Sequence, residues 1–196
     1  MSADFRRVLT GVAVAVAGGF SSAHAQDAPT PQRDRRVIAA HLALPATALP
    51  EFSFPRLGGG EPISSATLRS GPSLVVFWST FCGYGRSAID ATKQLDREFR
   101  ERGLRTVVLA GNTTAELTAF EDSTRSGLPF AVAGDSAIRA LFDRSAVAPE
   151  RDQYRVAWVY PVVAVLDRKG RVVARSFGTE GVLYQRSLLD SLLHAR

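Results

Sequence analysis

One thiol stands in the 196-residue chain, at Cys82, within the run Phe77-Trp78-Ser79-Thr80-Phe81-Cys82-Gly83-Tyr84-Gly85-Arg86. The residues before it are the apolar, β-branched and aromatic types of a buried strand, and those after it open a helical pattern. The thiol therefore falls where a core strand ends and a helix begins. Backbone N–H groups at a helix start are unpaired and the helix dipole is positive there, and both favour the charged form of a thiol. Arg86, about one turn along, is a candidate to add a stabilising positive charge. Such a thiolate attacks disulfide sulfur or peroxide oxygen. The competing reading is a small buried apolar residue, as lone cysteines often are.

The rest of the inventory excludes several kinds of chemistry. A single Cys cannot form an intramolecular disulfide or a multi-cysteine zinc or iron–sulfur site. The three His are His24, His41 and His194, scattered along the chain, so no metal site and no cofactor is expected. The formal charge is +5, with 45% hydrophobic and 22% charged residues, an ordinary globular composition with material for one core. The basic cluster Arg33, Arg35 and Arg36 has no interleaved aromatics and reads as a solvated tail, so no nucleic-acid partner is expected.

The N-terminus reads as an address. Arg6 and Arg7 precede the apolar run Val8 to Ala17, followed by small residues and Ala23-His24-Ala25, the order of a secretory signal peptide. The run is about half of the ~20 residues that span a bilayer, so no stable membrane span is expected after cleavage. Residues 1–25 are assigned to the signal peptide, 26–50, with Pro29, Pro31, Pro45 and Pro50, to a linker, and 51–196 to one domain.

Within that domain the elements that must position Cys82 are legible from pattern. Phe52-Ser53-Phe54 and Pro62-Ile63-Ser64, separated by Leu57-Gly58-Gly59-Gly60, predict a small hairpin, and Ser65 to Leu68 one helical turn. Ser73 to Ser79 predicts a strand buried on both faces. Gly85 to Arg102 places Ala88, Thr92, Leu95 and Phe99 on one helical stripe closed by Gly103. A strand over Leu104 to Ala110 and a capping box at Thr113-Thr114-Ala115-Glu116 opening a helix through Phe120 follow. Strand, helix, strand implies a right-handed crossover and a parallel pair. Leu128 to Ala133 predicts a third strand, and Asp135 a cap for a helix over Ser136 to Phe142. The polar stretch from Asp143 to Val156 predicts a long surface loop. Val162 to Leu166 and Arg171 to Phe177 form a hairpin about Asp167-Arg168-Lys169-Gly170. Leu183, Leu188, Leu189, Leu192 and Leu193 give a last helix its apolar face.

In this order the motifs resemble the exported thioredoxin-like family related to TlpA and ResA, close to the peroxiredoxin-like redoxins. The resemblance covers about Phe52 to Leu193. It rests on Phe52-Ser53-Phe54-Pro55-Arg56-Leu57 with Pro62 to Leu68, on Val75 to Cys82, and on Tyr160-Pro161 preceding the hairpin with Asp167-Arg168-Lys169-Gly170. It implies an α/β thioredoxin-like fold, a central mixed β-sheet flanked by helices with an N-terminal hairpin extension. It assigns the nucleophile to Cys82 and a cis-proline to Pro161, and cis is cheap only at X-Pro bonds. It implies a client groove, for which Trp78, Gly83, Tyr84, Tyr160 and Pro161 are the candidates. For Trp78, Tyr84 and Tyr160, as for Trp158, packing is the alternative. The implied partner is a protein or small-molecule thiol or disulfide, and the implied location is outside the cytoplasm, in the periplasm.

The departures from the family are equally specific. Gly85 stands where the family carries its second Cys, so no thiol of the same chain can resolve a mixed disulfide. Ala88 stands where many relatives carry Glu, and Val76 where thioredoxins proper bury an acid. The stretch between Phe142 and Pro161, with Arg144, Glu150, Arg151, Asp152, Tyr154 and Arg155, is longer than in relatives and reads as a cover for the thiol, a partner surface or a solvated insertion. Three functions follow: a single-cysteine thiol–disulfide redox protein with an external resolving thiol, a peroxidase in which Ser79 aids Cys82, and a binding module without redox chemistry.

Overall fold

The computed structural model of the protein describes residues 47–143 and 160–194. The signal peptide, most of the linker, residues 144–156 of the long loop, Trp158, His24 and His41 lie outside the described residues.

A six-stranded mixed sheet forms the centre. In chain order the strands are β1 (Thr47–Ala48), β4 (Ser73–Trp78), β5 (Arg105–Ala110), β6 (Phe130–Val132), β7 (Val162–Leu166) and β8 (Arg171–Phe177), while β2 (Ser53–Phe54) and β3 (Ile63–Ser64) make a separate hairpin. Across the sheet the order is β1-β8-β7-β4-β5-β6. Strands β4, β5 and β6 run parallel, and β7, β8 and β1 are joined antiparallel to one another and to β4. This is the thioredoxin-like architecture, with the implied hairpin extension. Strand β1 falls inside the stretch read as linker, and Leu49 beside it is buried, so the folded sheet begins earlier than Glu51.

The alternation of strand residues between two faces explains why the β4 sequence is apolar throughout. Leu74, Val76 and Trp78 face α2 (Gly85–Phe99), with its buried Ala88, Ile89, Leu95 and Phe99, and the C-terminal helices. Val75 and Phe77 face the hairpin, α1 (Ser65–Leu68) and α4 (Asp135–Asp143), through Ile63, Leu68, Ile138 and Leu141. Helix α2 passes into a 3₁₀ turn, Arg100–Arg102, which Gly103 closes in the left-handed region.

Four elements differ from the sequence reading. Helix α3 (Thr114–Thr124) runs past Phe120, because nothing breaks the helix until Glu121 captures Ser126 Oγ and Gly127 N–H. Strand β6 is shorter than Leu128 to Ala133. Asp135 is the first residue of α4 and uses its carboxylate on Arg139 and the Tyr160 hydroxyl. The single last helix is two, α5 (Gly178–Tyr184) and α6 (Arg186–His194), interrupted at Gln185, whose buried amide donates to Ser176 Oγ at 2.8 Å. That break turns Leu183 outward to 39% exposure and leaves Val182 buried in its place.

Candidate functional site

The site grows from the way β4 ends. Gly111 N–H donates to Trp78 O at 2.9 Å, holding the last pair of β4 and β5 together. The next residue but one, Thr80, is gripped twice by Asn112: its N–H donates to Asn112 Oδ1 at 2.9 Å, and Asn112 Nδ2 donates to its Oγ1 at 2.6 Å. Asn112 is 1% exposed and also reaches Glu116 Oε2 at 3.3 Å. From this anchor the chain makes a tight turn. Cys82 N–H donates to Ser79 O at 3.3 Å, and Gly85 N–H to Cys82 O at 2.8 Å, which delivers the chain into α2.

The Tyr160–Pro161 peptide is cis, as the resemblance implied. It brings the Tyr160 carbonyl to the thiol, and Cys82 Sγ donates to it at 2.9 Å across 78 residues of sequence. Pro161 O is already engaged by Gly178 N–H at 2.9 Å, so the carbonyl beside the thiol belongs to Tyr160. The Tyr160 ring is buried, with its hydroxyl on Asp135 Oδ1 at 3.3 Å. Cys82 is half-buried, and the aromatic residues on either side of it, Phe81 at 78% and Tyr84 at 68% exposure, project into solvent. Gly83 between them is exposed and carries nothing within 4 Å of where a Cβ would stand.

Trp78 departs from the groove reading: it is 0% exposed, packs on Phe120 and Phe130, and donates its indole N–H to Gly85 O at 2.9 Å. Packing holds at that position, and the ring braces the start of α2 from beneath. The same ring limits what residue 85 can be. A Cβ there would lie 3.1 Å from Ser79 O and 3.2 Å from Trp78 Nε1, closer than ordinary van der Waals contact, so a side chain at 85 requires its neighbours to shift. Arg86 directs its guanidinium over the Phe120 ring, 5.8 Å from the centroid; the contact it makes is aromatic. Ser79 Oγ accepts Phe81 N–H at 3.3 Å, a bond that braces the turn.

Helix α2 starts without a side-chain cap. Its N-cap is Tyr84, no side chain accepts from its first turn, and that turn holds no acid. The open N–H groups and the positive helix end are thus left beside the Cys82 turn. Val76 and Ala88, the two positions at which the resemblance pointed to an acid, are fully buried in the apolar core. The carboxylates joined to the rim are instead Asp135, through Tyr160, and Glu116, through Asn112. Glu116 is held below the usual range for its type, first by Thr113 N–H, then by the Asn112 amide and the Thr113 hydroxyl. Among the described residues no three His, Cys, Asp or Glu side chains gather into a metal site, and no helix is long and apolar enough to cross a membrane.

The structure therefore brings Cys82, Gly83, Tyr84, the Tyr160 carbonyl and Pro161 together, with Trp78 beneath and Arg86 to one side. Asn112 and Thr80 were missed. The sequence signal was an Asn between the end of β5 and the capping box, just past the strand that must lie next to the one carrying the thiol.

The Redoxin family model matches residues 45–192. No curated protein matches the chain. Solved structures share the fold. A thiol:disulfide interchange protein from Bacteroides sp. is 13% identical, covers 79% of this chain and 94% of its own, and superposes with a TM-score of 0.62. A thioredoxin-family thiol:disulfide interchange protein from Chlorobium tepidum TLS is 21% identical over 76% of this chain and 98% of its own, with a TM-score of 0.57. A secreted thiol-disulfide isomerase from Corynebacterium glutamicum is 17% identical over 74% of this chain and 83% of its own, with a TM-score of 0.58.

Proposed function

We propose, from the premise that the chain belongs to the Redoxin family, that it is an exported thiol–disulfide redox protein working through Cys82 alone with an external thiol. The observation that carries the reading is the half-buried Cys82 thiol at 2.9 Å from the carbonyl of a cis Tyr160–Pro161 peptide, between exposed Phe81 and Tyr84. A carbonyl accepts from a thiol and has nothing to offer a thiolate, so loss of the proton frees both partners. The sulfur becomes a nucleophile and the Tyr160 carbonyl an acceptor for a client's backbone. Gly83, Tyr84 and Pro161 border that groove, and Phe81 and Tyr84 supply apolar area to it.

In the reaction, the Cys82 thiolate attacks one sulfur of a client disulfide. A Cys82–client bond forms, the client's S–S bond breaks, and the second client sulfur leaves as a thiolate that takes a proton from water. A small thiol then attacks the client sulfur of the mixed disulfide and releases Cys82, and a second equivalent frees the reduced client as the small disulfide forms. Two small thiols are oxidised for each client disulfide reduced, and the protein ends unchanged. With a client sulfenic acid the first step instead forms the mixed disulfide and water. Export is supported by the basic and apolar N-terminus ending in Ala23-His24-Ala25 and by the secreted isomerase among the similar structures.

Incubation with an aromatic disulfide, followed by intact mass, tests the reading. Wild type gains one adduct, a monothiol removes it, and Cys82→Ser gains none. A folded wild type that forms no adduct while its urea-unfolded form does would sink the redox reading. The binding-module alternative draws on the apolar Val76 and Ala88, and it would then account better for the groove.

A further inference from the structure

The opposite end of the sheet holds a second candidate site. Strand β5 starts at Arg105, opposite Ser73 of β4, but β6 pairs only with Val108 to Ala110. The first half of β5 therefore lacks a neighbour on that side, and a cavity of about 280 Å³ occupies the space. The length of β4 and β5, roughly 16 Å at 3.3 Å per residue, separates it from the turn carrying Cys82.

Three arginines line this cavity, Arg56, Arg100 and Arg105, with one carboxylate, Asp96. Asp96 is buried and paired with Arg100. Arg56 and Arg105 have no carboxylate partner among the described residues, so the lining carries two uncompensated positive charges. The wall also contains Thr106, which is 5% exposed and whose hydroxyl has no hydrogen-bond partner. A buried hydroxyl without a partner is destabilising, and no protein group in the described residues offsets it.

We propose that this cavity binds a small phosphate monoester. The charge of such a group, about −1.5 to −2 near neutrality, matches the two free arginines, whereas a simple carboxylate or phosphodiester leaves one of them unmatched. Guanidinium forks suit the tetrahedral oxygens of phosphate. The volume lies near the lower end for small-molecule pockets, roughly 300 Å³, and admits a phosphate with a short organic group.

Calorimetric titration of the full chain with glycerol 3-phosphate, against chloride at matched ionic strength, tests this. The expected result is saturable binding of one ligand per chain, weakened about tenfold or more by Arg56→Gln and by Arg105→Gln, since each removes a charge-assisted pair. Thr106→Val leaves binding intact and raises the melting temperature of the free protein, because it deletes an unpartnered buried hydroxyl. That variant keeps the test independent of any folding defect. Sedimentation with vesicles containing phosphatidic acid, a monoester, identifies the source. Vesicle binding lost in the arginine variants assigns the phosphate to a lipid headgroup, and binding of glycerol 3-phosphate alone assigns it to a soluble ligand. Binding of neither, or binding that Arg56→Gln and Arg105→Gln leave unchanged, overturns the proposal.

Discussion

Strands β4 and β5 end side by side, with Trp78 opposite Ala110, and each leads into a helix. At the β5 junction Thr113 has extended backbone, its Oγ1 accepts Glu116 N–H at 3.3 Å, and Glu116 accepts Thr113 N–H at 2.8 Å, a complete capping box. At the β4 junction Tyr84 has φ −93° and ψ 5°, and no side chain closes the first turn of α2. One helix start is closed by its own residues, and the other stays open next to the only thiol. Asn112 links the two, since it leaves the capped junction to hold Thr80 of the open one. The rigidity that the Cys82 turn lacks in its own sequence is thus supplied by its neighbour.

The largest test of that division is Asn112→Ala. It removes two hydrogen bonds to Thr80 and one to Glu116 and leaves the part-buried Thr80 N–H unpaired, so urea unfolding should register a loss of about 2 kcal/mol. The iodoacetamide alkylation rate of Cys82 should change with it. A loss below about 0.5 kcal/mol with an unaltered alkylation rate would mean that the β5 junction does not hold the thiol turn. Thr113→Ala should cost about 1 kcal/mol, the usual worth of an N-cap, and should leave the alkylation rate alone. If alkylation moved as much as in Asn112→Ala, the two junctions would be one cooperative unit and the contrast between them would fail.

The pattern of legibility follows the same line. The capping box, the β4 strand, the hairpin about Asp167 to Gly170 and the cis proline all rest on local residue types or on one ordered set of motifs, and each is where the sequence put it. The site's supports are non-local. The Tyr160 carbonyl meets a thiol 78 residues away, and Asn112 reaches Thr80 across 32; no periodicity reports such pairs. Trp78 was ambiguous because a strand residue near its end can be groove or core, and only the positions of Phe120, Phe130 and Gly85 O decide it. The break at Gln185 was hidden for a related reason: its cause is a hydrogen bond to Ser176 on β8, outside the helix pattern altogether.

A smaller effect is expected on acidification. Because Thr113 N–H, the Asn112 amide and the Thr113 hydroxyl hold Glu116 below its unfolded value, the stability it contributes is present above that unfolded value and is lost as pH falls through the folded one. The difference in urea midpoint between wild type and Glu116→Gln should therefore be larger at pH 7 than at about pH 3.5. A difference that stayed constant would assign the effect of Gln to lost packing, leaving the charge at the capped junction without a role.

The smallest effect is the sharpest. If α2 is open merely because Tyr84 lacks a capping oxygen, then Tyr84→Ser should stabilise the protein by about 1 kcal/mol, as N-cap gains usually run. The backbone argues otherwise. Side-chain capping needs an extended N-cap residue, such as Thr113 with ψ 160°, whereas Tyr84 sits at ψ 5°, where a serine hydroxyl is not carried onto the N–H groups of the next turn. The hydrogen bonds from Cys82 N–H to Ser79 O and from Gly85 N–H to Cys82 O fix that conformation. Tyr84→Ser should then shift the urea midpoint by less than the equivalent of about 0.3 kcal/mol. In that outcome the turn that presents the thiol is also what keeps the helix start uncapped, and the two properties cannot be separated by changing one side chain.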